Sequence, residues 1–195
     1  MRLFLGIDLP EAVTHAAATI TDRLRTRIER EVPQARLRWV PADNLHVTVW
    51  FLGEVRDPAA DALVAALTRG LEVPSFELHV AGSGAFPPSG APKVLWLGLP
   101  SGREELIAIH DRLRPVLAPL GFTPEERSYN PHLTIARVKD MSRPDAVIAR
   151  RILAETEADA GGCRVDALTL FRSRTSPHGA QYERLLRVPL EALTT

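Results

Sequence analysis

The chain has 195 residues, 45% of them hydrophobic, with 24 basic and 24 acidic side chains and one cysteine. Zero net charge excludes a whole-chain electrostatic binder of long nucleic acid, which carries a basic excess. The lone Cys163 excludes an intrachain disulfide and a cysteine-based zinc cage. No apolar run reaches the roughly 18 residues that span a bilayer. The opening MRLFLGIDLPEA is interrupted by Asp8 and Pro10 and reads as a first strand, not a signal peptide, so a cytoplasmic protein with no membrane partner is expected. Of the basic residues, all but Lys93 and Lys139 are Arg, the side chain suited to bidentate phosphate contacts.

Residues 2–9 predict a strand. Val13, Ala17, Ile20, Leu24 and Ile28 form one apolar stripe on a long helix that opens near Pro10 and ends before Pro33. Short strands are expected over 37–40 and 45–52. A helix follows, capped by Asp57 and running to about residue 72. Residues 76–81 alternate as a strand, 82–92 (GSGAFPPSGAP) read as loop, and 94–99 as the next strand. Ser101 opens a third helix, with a kink or break expected near Arg114 because Pro115 and Pro119 fall in its pattern. A strand over 133–138, a helix over 144–157 and a pair of strands over 165–171 and 182–188 complete the chain. This mixed order predicts an α+β fold of antiparallel sheet covered by helices on one face. No linker divides the chain.

One internal echo carries chemistry. His46-Val47-Thr48-Val49 and His132-Leu133-Thr134-Ile135 share the pattern His-x-Thr-x with apolar x, each opening a predicted strand. Alternate side chains share a face, so each strand buries its apolar residues and presents an imidazole and a hydroxyl on the other side. Two imidazoles can divide the roles of proton acceptor and proton donor, and two hydroxyls can donate hydrogen bonds to an anion between them. With no obvious nucleophile beside them, this set suits in-line displacement at phosphorus. Metal binding is disfavoured, since neither pair is His-x-His and no carboxylate or Cys sits at ligand spacing. His15, His79, His110 and His178 are expected to be surface or satisfied histidines. Trp50, two residues past Thr48, falls on the same predicted face, in position to stack on a base or to pack over the cleft edge. Strict alternation turns Arg137 away from His132, which leaves it either a structural role or a strand-end twist that brings it back.

The two motifs resemble the two-histidine (2H) phosphoesterase superfamily, and within it the RNA 2′,3′-cyclic phosphodiesterases historically called 2′-5′ RNA ligases. The likeness extends to RLFLGIDLP at the start, NLHVTVWFLGEV, GAFPPSGAPKVLW and RSYNPHLTIARV, and to the close around Ser173 and Tyr182. It implies a single bilobal domain in which two pseudo-twofold-related lobes each give one His-x-Thr strand to a central cleft. It also implies metal-independent opening of a terminal 2′,3′-cyclic phosphate to a 2′-phosphate, without a cofactor. His46 matches the proton donor, His132 the proton acceptor, and Thr48 and Thr134 the phosphate-binding hydroxyls. Arg127, Arg137, Lys93, Trp50 and Tyr182 are the further substrate-binding candidates. The expected partners are RNA ends or short oligonucleotides with a cyclic phosphate, met by a monomer that needs no protein partner. The alternatives are 2′-5′ RNA ligation, 2′-5′ phosphodiester cleavage, or a non-catalytic module that binds RNA ends or nucleotides.

Overall fold

A computed structural model describes residues 1–69, 71–123, 128–176 and 179–191. In chain order the elements are β1 (Arg2–Asp8), α1 (Glu11–Glu31), β2 (Arg36–Trp39), β3 (His46–Glu54), α2 (Asp57–Leu67), β4 (Phe76–Ala81), β5 (Ser83–Phe86), β6 (Val94–Leu97), α3 (Arg103–Leu117), β7 (Leu133–Asp140), α4 (Arg143–Glu155), β8 (Asp159–Val165), β9 (Ala167–Ser176) and β10 (Gly179–Pro189). The α+β expectation holds. Every pairing between these strands is antiparallel.

The main sheet runs β10-β9-β1-β3-β7-β6-β5, with β2 also pairing β7. Its two halves meet at β3 and β7 through one residue pair, Val47 opposite Leu133. One buried apolar cluster nevertheless spans both halves, from Leu3 and Leu5 on β1 to Leu95 on β6 and Ile135 on β7. Helix α1 turns its predicted stripe inward, with Ala17, Leu24 and Ile28 fully buried, and packs on β8 and α4.

The departures from the sequence reading have local causes. Helix α2 stops at Leu67, short of residue 72, and its N-cap is Arg56 rather than Asp57. Helix α3 begins after Gly102 and continues through Pro115 to Leu117, where a 3₁₀ turn takes over. Pro115 lies on the exposed face, where water can satisfy the carbonyl left without its donor, while Leu106, Ile109, Leu113 and Leu117 keep the buried stripe intact. Within the expected loop over 82–92 lies β5, paired with β6. Gly84 permits it, because a Cβ there would collide with the Trp96 ring that covers it. Strand β8, with two glycines in DAGGCRV, escaped propensity reasoning and forms a separate two-stranded sheet with β4.

Candidate active site

Both histidines are anchored in the same way. A carbonyl oxygen only accepts hydrogen bonds, so the proton between ring and backbone belongs to Nδ1. His46 Nδ1 donates to the Asn44 carbonyl at 2.7 Å, and His132 Nδ1 donates to the Asn130 carbonyl at 2.7 Å. In each neutral ring Nε2 is therefore left as the acceptor. Each Asn is tied down in turn: Asn44 Nδ2 donates to the Ala180 carbonyl on β10 at 2.6 Å, and Arg103 at the start of α3 donates to Asn130 Oδ1 at 2.7 Å. The motif is thus Asn-x-His-x-Thr, and the Asn at the minus-two position, visible in NLHVT and NPHLT, is the signal that the His-x-Thr reading passed over.

Packing fixes the rings further. The His46 ring lies 4.7 Å from Phe4 and meets Tyr182 edge-on at 5.0 Å, and His132 meets Phe86 edge-on at 5.1 Å. Gly6 lets β1 pass this close, since a Cβ there would sit 2.9 Å from the Val47 carbonyl oxygen and 3.5 Å from His46 Cδ2. Burial is the main force holding both imidazoles below their ordinary pKa, with the Arg137 charge adding to it. The accepting carbonyls act the other way, as does Asp8 near His46.

Each strand carries a bulge three residues beyond its histidine. In β3, Gly6 faces Thr48 but Leu5 faces Trp50, leaving Val49 extra. In β7, Trp96 faces Thr134 but Leu95 faces Ala136, leaving Ile135 extra. A bulge opposes two residues to one and resets the alternation. Consecutive residues are buried as a result: Val49 and Trp50 at 2% and 3%, Ile135 and Ala136 at 0% each. Two expectations are corrected by this geometry. Arg137 is exposed and lines the cleft with His132 and Thr134, where strict alternation turned it away. Trp50 leaves the His46 face. Its ring edges the cleft but is covered by stacking on His110 at 4.6 Å, and the large aromatic surface offered there is Phe51, 48% exposed.

The cleft has a volume of about 700 Å³. Thr48, His132, Thr134, Arg137 and Lys93 line it on the polar side, and Phe51, Phe86, His110 and Tyr129 on the aromatic side. His46 stands directly behind Thr48, with Nε2 3.0 Å from the Thr48 hydroxyl oxygen. Tyr129 stacks on His110 at 4.7 Å and donates its hydroxyl to the Thr48 carbonyl at 2.9 Å. His110, expected to be a surface or satisfied histidine, is thus part of the cleft wall. Tyr182 supports His46 and is not among the residues that line the cleft. His79 pairs with Asp159 at 2.9 Å and His15 is exposed. Arg127 and His178 lie outside the described residues. Among the described residues no group of three or more His, Cys, Asp or Glu side chains is placed to hold a metal ion. No helix among them is long and apolar enough to cross a membrane.

Two imidazoles and two hydroxyls beside an arginine are groups that can support acid–base displacement at an anionic ester. The chain belongs to the 2′-5′ RNA ligase superfamily, whose family model matches residues 12–177. It is similar to the RNA 2′,3′-cyclic phosphodiesterase of Aeropyrum pernix, with 31% identity over 78% of this chain and 85% of that one. The protein of the same name from Methanocaldococcus jannaschii is 32% identical over 94% of this chain and 97% of its own. Among solved structures, E. coli LigT complexed with 3′-AMP superposes with a TM-score of 0.70 at 31% identity, covering 97% of both chains.

Proposed function

We propose that the protein hydrolyses the terminal 2′,3′-cyclic phosphate of RNA to a 2′-phosphomonoester, using His46 as proton donor and His132 as proton acceptor. Water attacks phosphorus and the bond to the 3′ oxygen breaks. His132 Nε2 takes the proton of the water, and protonated His46 gives its Nε2 proton to the departing 3′ oxygen. Exchange with solvent then resets both rings. Thr48, Thr134 and Arg137 donate to the phosphoryl oxygens, with Lys93 adding charge at the mouth. The Thr48 hydroxyl faces His46 Nε2 at 3.0 Å; turning toward a phosphoryl oxygen frees that nitrogen for the leaving group. The nucleobase lies against Phe51. The assignment of acid and base follows the family resemblance.

The observation that carries this reading is the pairing of Val47 with Leu133. Continued by one residue along both strands, that antiparallel register would bring His46 toward Thr134 and Thr48 toward His132, on the face away from the buried pair, which supports the reading. On that register the histidines would be diagonal neighbours, a relation with a typical backbone spacing of roughly 7–8 Å, which leaves room for a phosphoryl group between the rings. Names borne by the relatives, and the 3′-AMP complex of LigT, agree with a nucleotide phosphate as ligand. Incubation with a nucleoside 2′,3′-cyclic phosphate in EDTA tests the reading. A 2′-phosphomonoester is the expected product. A 3′-phosphomonoester, no product, or activity restored only by a divalent ion would overturn it. Offering a 5′-hydroxyl oligonucleotide alongside detects 2′-5′ ligation as a joined product.

A further inference from the structure

Arg38 on β2 is the cross-strand partner of Arg137 on β7. Directly opposed residues of an antiparallel pair lie on the same face with Cβ atoms roughly 4.5–5.5 Å apart, and like charges so placed repel. Both side chains are exposed. Arg2 aside, the other arginines of this sheet have carboxylate partners: Arg36 has Asp140, Arg172 and Arg174 share Glu183, Arg184 has Asp8 and Arg187 has Asp166. Among the described residues no carboxylate pairs with Arg38, Arg137 or Lys93.

The register also fixes direction. Arg137 faces Val94 on β6, and Val94 faces Phe86 on β5. Arg38, Arg137, Val94 and Phe86 therefore form one row across the sheet, and the last three line the cleft. Arg38 continues the row one strand beyond its rim. A molecule that neutralises both arginines must extend out of the cleft and carry negative charge at a spacing close to that of the two side chains. Successive phosphates of a nucleic-acid strand do so, and the guanidinium fork matches each phosphate bidentately.

We propose that Arg38 binds the first backbone phosphate upstream of the reacting nucleotide, so that the strand leaves the cleft over β2 and an oligonucleotide end is preferred to a mononucleotide. This inference rests on the hydrolase reading above. The test compares a trinucleotide ending in a 2′,3′-cyclic phosphate with the nucleoside 2′,3′-cyclic phosphate of the same base. Wild type should favour the trinucleotide. Arg38→Gln should lower kcat/KM about tenfold on the trinucleotide, as for loss of one charge-assisted contact, and change the mononucleotide rate less than about twofold. The log–log salt dependence on the trinucleotide should flatten by roughly 0.7. Equal losses on both substrates, or none on the trinucleotide, would overturn the proposal while leaving the hydrolase reading in place. Turnover of neither substrate by wild type would remove both.

Discussion

Val47 on β3 pairs with Leu133 on β7, and among the described residues this is the one β3–β7 pair joining the two halves of the main sheet. Both side chains are 0% exposed. His46 and His132 adjoin this clamp in the chain, so loosening it is expected to disturb how the two rings are held. Leu133→Ala should cost about 2–5 kcal/mol of stability, the range for a buried leucine truncation. It should also lower kcat at temperatures where the variant remains folded, because the rings are no longer held in register. Thermal melts with activity assays below the transition check both, and a destabilised variant with unaltered kcat would show that the clamp does not set the geometry.

His46→Gln and His132→Gln should each reduce turnover of a cyclic phosphate by at least roughly 10²-fold, the usual contribution of a positioned acid or base. Gln keeps much of the volume between Phe4 and Tyr182 in the first case and against Phe86 in the second. Circular dichroism should therefore show native structure. Retention of most of the activity by either folded variant would remove that residue from the chemistry.

The strands that carry the two His-x-Thr motifs were legible because they rest on period-two alternation, which the repeated pattern displays twice. What failed was alternation carried too far. A bulge leaves no mark in a run such as HVTVW or HLTIARV, since Val49 and Ile135 are ordinary strand residues. Only the partner strands reveal the extra residue, through Leu5 facing Trp50 and Leu95 facing Ala136. Arg137 and Trp50 were placed on the wrong faces for one shared reason. His110 was missed differently. It sits on the inward-turned side of α3, and nothing within the helix indicates that Trp50 and Tyr129 will close around it. Glycine-rich β5 and β8 were hidden because their stability comes from the neighbours they allow close, not from their own propensity.

The lowered pKa values of the two histidines make stability depend on pH in a defined window. Well above the ordinary imidazole value of 6.5 the rings are neutral in both folded and unfolded chains and contribute no slope. Below 6.5 the unfolded chain binds protons that the folded chain refuses, so stability falls as pH drops, until the folded pKa values are passed. A His46→Gln variant lacks one such group. Its Tm should fall less than that of wild type between pH 7 and about pH 5.5. The acid limb of kcat/KM should appear only at lower pH, where the folded proton acceptor is itself titrated, and the apparent values belong to the pair of rings. Parallel acid losses of Tm in wild type and variant would contradict the burial of His46 as the cause.

The paired bulges separate two neighbouring aromatics by role. Phe51 occupies the position in β3 that Arg137 occupies in β7, five residues past its histidine, and its ring is half open to the cleft. Trp50 is 3% exposed and stacked on His110. Phe51→Ala should leave Tm nearly unchanged and raise KM for a nucleoside 2′,3′-cyclic phosphate, because base stacking on an aromatic side chain contributes about 1–3 kcal/mol. The effect should vanish with a base-free ribose 2′,3′-cyclic phosphate, which offers nothing to stack. Trp50→Ala should do the reverse at first order, costing about 3–5 kcal/mol of stability through the cavity it leaves beside His110. Steady-state kinetics on both substrates, with denaturant melts, distinguish the two. A rise in KM confined to Trp50→Ala, with Phe51→Ala silent on both substrates, would mean that the base lies elsewhere and that the bulge in β3 serves packing alone.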